Sequence, residues 1–149
     1  MKKITRTIAT IGIIAAMVTA VACNKKDDTN PVATGPFVQQ WSIDSTSYYP
    51  DKVGTMNKML FATDSLGLIS FNFASLPTTS GVYTVGDPNT APDRVAIEAR
   101  NGTDFVGLSG SVIVTVARGK ISVDANNVWM LEVPMFKDSV KLSAQLTEQ

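Results

Sequence analysis

From Phe37 to Gln149 apolar and polar residues alternate, and the period is two. Ile69, Phe71 and Phe73 fall on one side of such a run and Ser70 and Asn72 on the other; Val95, Ile97 and Ala99 alternate in the same way with Arg94, Glu98 and Arg100. Near the C-terminus Val140, Leu142, Ala144 and Leu146 alternate with Ser139, Lys141, Ser143 and Gln145. A period of two puts every second side chain on one face, which is the mark of a half-buried strand. Shorter stretches of the same kind are Val38 to Asp44, Asn57 to Thr63, Gly81 to Val85, Phe105 to Leu108, Ser111 to Ala117, Lys120 to Asp124 and Val128 to Met135. In the last of these Trp129, Leu131, Val133 and Met135 form the expected inward face, with Val128, Met130 and Glu132 outward.

Turn chemistry separates the runs. Asn101-Gly102 suits a two-residue hairpin turn, because both residues accept positive φ at low cost. Arg118-Gly119 and Asn126-Asn127 read as further tight turns, so Ser111 to Met135 is expected to be a three-stranded meander. Gly86 to Asp93 holds Pro88 and Pro92, which rule out a central strand, and SIDSTSYYPDKVG (42–54) reads as a polar loop. With no capped 3.6-period stretch, the expected fold is all-β, an antiparallel β-sandwich, with a small closed β-barrel as the alternative.

The N-terminus breaks this pattern. Lys2, Lys3 and Arg6 precede an uncharged run from Ile8 to Ala22, which is 15 residues long. About 20 apolar residues are needed to span a bilayer, so the run is short for a permanent helix and reads as a cleaved signal peptide over residues 1–22. The segment that closes it, Ala20-Val21-Ala22-Cys23, resembles the lipobox of bacterial lipoproteins, although the most frequent form begins with Leu. The resemblance implies that Cys23, the only cysteine, is diacylated on sulfur and becomes the acylated N-terminus after cleavage. Several acyl chains at about 0.8 kcal/mol per buried methylene make a lasting anchor. Residues 23–36 then form the lipidated cysteine and a flexible tether, rich in charge, Pro and Gly, and 37–149 a single domain. Within the tether Lys26-Asp27-Asp28 resembles the lysine-plus-acidic export tag of Bacteroidota lipoproteins, which implies the outer face of the outer membrane. A plain solvated tether, leaving the protein on the periplasmic face, is the alternative.

Composition narrows the chemistry. The 149 residues are 44% hydrophobic, enough for one core, and 13 basic residues balance 13 acidic ones. Loss of Lys2, Lys3 and Arg6 with the signal leaves ten basic against thirteen acidic, so there is no basic field to recruit nucleic acid. Histidine is absent, which removes the Ser-His-Asp arrangement and the usual zinc ligand. Carboxylate chemistry remains: a glycosidase needs two facing acids about 5–10 Å apart. Asp44, Asp64, Asp93, Glu98, Asp104 and Glu132 are the acids from which such a pair would come, Glu132 being notable for its apolar strand. Asp87, Asn89 and Asp93 offer oxygen ligands in one loop, but the spacing lacks the glycine and terminal glutamate of the twelve-residue calcium loop, and turn chemistry accounts for them. No catalytic residue, metal or cofactor is assigned.

Aromatic residues are the remaining handle. Trp41 and Trp129, both in apolar alternating stretches, are expected in the core. Tyr48 and Tyr49 are adjacent in a polar stretch and cannot both point inward along a strand, so they are the candidate ligand-binding pair, with closure of the sandwich end as the competing role.

One resemblance covers the domain. Gln40-Trp41, Ile69-Ser-Phe71-Asn-Phe73, Ser80-Gly81-Val82-Tyr83 and Gly110-Ser111-Val112-Ile113-Val114 are similar to segments of small Bacteroidota lipoproteins, although Gln40 stands where glycine is usual. That family brings no activity with it. The expectation is a lipid-anchored outer-membrane protein acting as a binding or interaction module, with a glycan or an envelope protein as partner. The alternatives are a carboxylate-dependent hydrolase and a structural subunit of a surface assembly. Replacing Cys23 by Ser should leave an uncleaved or mislocalised precursor that no longer partitions with membranes, and mass spectrometry of the mature protein should find an acylated N-terminus at Cys23.

Overall fold

A computed structural model describes residues 38–136 and 139–149. Residues 35–149 belong to one compact unit, and Cys23, Lys26, Asp27 and Asp28 lie outside the described residues. The described chain is all-β. Its strands are β1 (Gln40–Ile43), β2 (Thr46–Tyr48), β3 (Lys52–Met56), β4 (Met59–Thr63), β5 (Leu68–Phe73), β6 (Gly81–Val85), β7 (Arg94–Arg100), β8 (Asp104–Ser109), β9 (Ser111–Ala117), β10 (Lys120–Val133) and β11 (Ser139–Thr147). They form one hydrogen-bonded sheet in the order β2-β1-β11-β10-β9-β6-β7-β5-β4-β3, with β8 between β10 and β7. Every pairing is antiparallel except β6 with β7, which run parallel over Thr84↔Arg94 and Val85↔Val95.

The sheet folds over itself into a sandwich-like wrap because β8 and β9 lie end to end along one edge of β10. β9 pairs with residues 120–125 of that strand and β8 with residues 129–133. Gly110 is the joint between them. Its φ of +129° is strained for any L side chain, and a Cβ there would stand 3.1 Å from the Cα of Val128. Past this joint the free edge of β8 is taken by β7 and that of β9 by β6, and Gly110 O accepts the amide of Val85. At the far side Gln149 N donates to Val53 O at 3.2 Å and Thr55 Oγ1 to Glu148 Oε1 at 2.5 Å, bringing β3 against the tail of β11. Among the described residues no ladder joins β3 to β11, so the wrap stays open rather than closing as a barrel.

The inward side chains of all eleven strands meet in one apolar cluster, in which Trp41, Leu60, Phe71, Ile97, Met130 and Leu142 are all fully buried. Alternation read from the sequence places Ile69, Phe71 and Phe73, then Val95, Ile97 and Ala99, then Leu142, Ala144 and Leu146 inside, and all nine are buried. Ser70 departs from that reading. It points to the outer face yet is only 4% exposed.

Four expectations are corrected. Asn126-Asn127 is not a turn: both residues lie inside the single 14-residue strand β10, where register slips by one between Ala125↔Ala144 and Val128↔Leu142. Asn127 takes φ 58°, so the positive-φ tolerance that suggested a turn serves a β-bulge instead. The extra residue inverts the faces beyond it. Val128 and Met130 are therefore buried, while Trp129, expected in the core, is 41% exposed, and Glu132 shares the parity of the inward pair. The stretch 42–54 is not a loop, since it contains β2 and the start of β3. The Asn101-Gly102 hairpin forms, but Arg100↔Asp104 leaves three residues in its connection rather than two.

Phe71→Ala should cost about 3–5 kcal/mol of unfolding free energy, since it empties a fully buried site, whereas Asn72→Ala beside it should cost well under about 1 kcal/mol. Denaturant titration of both variants measures the difference.

Candidate functional site

Strand register lays three straight rows of side chains across the outer face. The middle row runs Phe61, Ser70, Glu98, Val106, Leu131 and Ser139 over β4, β5, β7, β8, β10 and β11. On one side of it lies the row Thr63, Leu68, Arg100, Asp104 and Val133. On the other side Met59, Asn72 and Ala96 are in register. Past β8 this third line continues with Trp129, which pairs with Ser109 and Lys141. Neighbouring strands stand about 4.8 Å apart, so the middle row spans some 24 Å.

Two depressions share this face. One, of about 330 Å³, is bordered by Leu68, Ser70, Arg100, Asp104, Val106 and Val133. The other, of about 500 Å³, lies between Met59, Asn72, Ala96 and Val106 and the loop Gly86-Asp87-Pro88-Asn89. Glu98 and Val106 border both, so the two form one trough with Glu98 at its middle. The loop wall is built by local chemistry: Asp87 Oδ1 accepts the backbone amide and the side-chain amide of Asn89, each at 2.9 Å, and Thr90 Oγ1 donates to Asp87 O at 2.7 Å. Asp87 thus shapes a turn, as the loop's composition suggests. Among the described residues no three His, Cys, Asp or Glu side chains are gathered as a metal would require.

Charge along the trough is partly neutralised. Across the β7–β8 hairpin Arg100 makes a forked contact with Asp104, Nε to Oδ1 and Nη2 to Oδ2, the latter at 3.2 Å. The Asp104 hydrogen bond and charge, with Glu98 adding, raise the Arg100 guanidinium above its ordinary pKa. Asp104 is thereby held by a cation, while Glu98 and Asp87, the latter engaged in its own loop turn, are the other acids bordering the trough. Glu132 lies opposite Phe105, a buried inward residue, and so belongs to the other face of the sheet. The geometry does not bring Glu98 and Glu132 together as a facing pair.

Trp129 lies on the same outer face, outside the residues that border either depression, opposite Ser109 and one residue from Met130, whose partner Gly107 borders the second depression. The Lys141 ammonium sits 5.2 Å from its ring centroid. Leu108 bulges out of β8 beside it, because β8 carries one extra residue between Gly107 and Ser109, and it is likewise exposed. This apolar patch was not expected from the sequence; the signal for it is the Asn-Asn pair, once read as a bulge.

The tyrosine pair divides. Tyr48 is buried, its ring stacked on Trp41 at 4.0 Å between centroids, and its hydroxyl accepts a hydrogen bond from Asn101 Nδ2 at 2.6 Å. Gly67 completes this corner, since a Cβ there would come within 2.8 Å of the Trp41 ring. The Trp41 indole N–H has no hydrogen-bond partner among the described residues, a cost borne within a fully buried aromatic contact. Tyr48 therefore closes the end of the sandwich, and Tyr49, pointing the other way, is the exposed ring of the two.

Comparison with protein-family models, with curated proteins and with solved structures finds no match.

The two tryptophans should respond oppositely to truncation. Trp41→Ala should cost ~3–5 kcal/mol, since it removes a fully buried ring, whereas Trp129→Ala should stay within about 1 kcal/mol. Thermal or denaturant unfolding of the two variants checks the inverted parity of β10 directly.

Proposed function

We propose that this protein is a lipid-anchored outer-membrane lipoprotein whose domain binds a ligand along its outer β-face. Support for the anchor comes from the sequence: a short apolar signal, the lipobox-like Ala20-Val21-Ala22-Cys23, and a polar tether after it. Lys26-Asp27-Asp28 and the likeness to Bacteroidota lipoproteins favour the cell surface over the periplasmic face.

The observation that carries binding is the trough itself. It is an open depression lined by apolar side chains and a few polar groups (Ser70, Asn72, Glu98), with an exposed indole further along the same face. Apolar lining with a small number of placed polar groups is what ligand sites share. A glycan suits this set, since a sugar ring has an apolar face for the indole and hydroxyls for the amide and carboxylate. Hydrolysis has less support, because the other carboxylates bordering the trough are committed, Asp104 to Arg100 and Asp87 to the turn that its Oδ1 holds with Asn89.

Trp129 supplies its own readout, since Trp41 is sealed in the core. Titration of the mature protein with neutral oligosaccharides such as maltoheptaose, chitohexaose and a dextran fragment should shift or quench the fluorescence of Trp129 with at least one of them. The response should disappear in Trp129→Phe and weaken in Glu98→Gln. No response to any of them, with the fold intact by circular dichroism, would remove the glycan reading.

A further inference from the structure

The side chains that border the trough spend their hydrogen-bond donors on one another. Asn72 Nδ2 donates to Ser70 Oγ at 3.4 Å, Asn89 Nδ2 to Asp87 Oδ1 at 2.9 Å, and Arg100 turns its fork on Asp104, with Nη2 meeting Oδ2 at 3.2 Å. Ser70 keeps its O–H, but the residue is only 4% exposed and offers little of it to a ligand. Acceptors are left over. Glu98 is exposed and makes no hydrogen bond or ion pair among the described residues, so its two oxygens are uncommitted. Asp87 uses Oδ1 in its turn and keeps Oδ2, and Asn72 keeps its Oδ1.

Charge has the same bias. Three carboxylates, Asp87, Glu98 and Asp104, border the two depressions against one guanidinium, that of Arg100, which leaves two negative charges in excess. Arg94, the other cation of β7, lies along Gly86, where its Nη1 stands 3.4 Å from the place a Cβ would take, and it borders neither depression. Further along the same face an ammonium is already accepted, since Lys141 Nζ sits 5.2 Å from the Trp129 ring centroid.

These two biases distinguish between sugars. A hydroxyl brings one donor and two acceptors, so a neutral sugar laid in the trough turns many of its own acceptors toward acceptors. A protonated amine brings three donors, no acceptor and a positive charge. Glu98 borders both depressions, with Ser70 and Val106 beside it on the neighbouring strands, so any ligand that fills the trough takes hydration from this carboxylate. An ammonium replaces that hydration with charge-assisted hydrogen bonds, which are the stronger kind.

We propose that the sugar selected by the trough is an amino sugar with a free, protonated amine, seated with its ammonium on the Glu98 carboxylate. The proposal rests on the glycan reading given above and names the chemical class within it.

The test compares glucosamine hexamer with chitohexaose, its N-acetylated counterpart, by isothermal titration calorimetry on the full-length protein in detergent. At about pH 6, where the amines are charged, the glucosamine hexamer should bind about tenfold tighter, and the preference should fade as pH rises to about 9 and the amines lose their protons. Raising NaCl from about 0.05 M to about 0.5 M should weaken the glucosamine hexamer and leave chitohexaose nearly unchanged. Glu98→Gln should bring the ratio of the two affinities close to one, whereas Asp124→Asn, which removes an equal charge at an exposed position outside the trough, should leave it as it is. Equal or tighter binding of chitohexaose, or a preference that survives Glu98→Gln, would overturn the proposal while the glycan reading stands. Binding of neither sugar, nor of the neutral oligosaccharides above, would defeat the glycan reading and this proposal with it.

Discussion

The wrap of this sheet depends on one extra residue in β10. Up to Ala125 the strand buries odd-numbered side chains, and from Val128 onward even-numbered ones, because Asn126-Asn127 inserts a bulge against β11 and against the β8–β9 junction. A strand of 14 residues cannot stay flat and serve two layers. The bulge bends it and increases its twist, which allows its first half to sit against β9 and its second against β8. Gly110 is the complement on the facing strand, where the absence of a Cβ lets the backbone come to Val128. The fork of β6 from β7 starts at this point, with Gly110 O accepting from Val85 N.

That single insertion also decides what the protein shows to solvent. Without it Trp129, Leu131 and Val133 would fall inside with Ile121 and Val123, and the outer face would carry Val128, Met130 and Glu132. With it the indole and two aliphatic side chains lie outside, continuous with Val106 and the trough around Glu98. The inner face is stabilised by burial alone among the described residues, through aliphatic and aromatic side chains worth about 1.5–3 kcal/mol each when fully buried. The Trp41–Tyr48 stack, closed by Gly67 and Asn101, ties β1 and β2 to the β7–β8 hairpin.

What the sequence conveys follows from where local pattern and tertiary context agree. Ile69 to Phe73, Val95 to Ala99 and Leu142 to Leu146 sit in regular ladders, and simple alternation places each side chain correctly. Asn126-Asn127 defeats the same reasoning because a tight turn and a bulge both ask for a residue at positive φ, and only the strands on either side distinguish them. β2 hides in polar sequence because it lies at an edge: Thr46 and Ser47 are exposed, and only Tyr48 reaches the core. Ser70 is polar and outward yet buried, since Phe61 and Glu98 flank it across the ladder, an arrangement set by strands far apart in the chain. The trough has no local signature at all. Its middle row combines residues from six strands, one from each, and only strand pairing far along the chain brings them into line.

On the binding proposed above, the placement of Glu98 would give the trough a means of discrimination that needs no catalytic partner. While water fills the depression, an exposed carboxylate beside Val106 and Ser70 keeps its hydration and costs nothing. A ligand that covers it must replace that hydration with donors of its own, because an ionised group left unsatisfied under an apolar surface costs far more than a lost contact. On the binding proposed above, an apolar molecule of the right shape would therefore be rejected by the same row that would otherwise attract it, whereas one that offers hydroxyl or amide donors between apolar patches would be accepted. Arg100 extends the logic along the row: its fork is already filled by Asp104, so it presents a neutral pair rather than a free cation and does not invite anionic competitors. Selectivity of this kind would arise from ladder register, which sets Ser70, Glu98 and Val106 about 4.8 Å apart on three hydrogen-bonded strands.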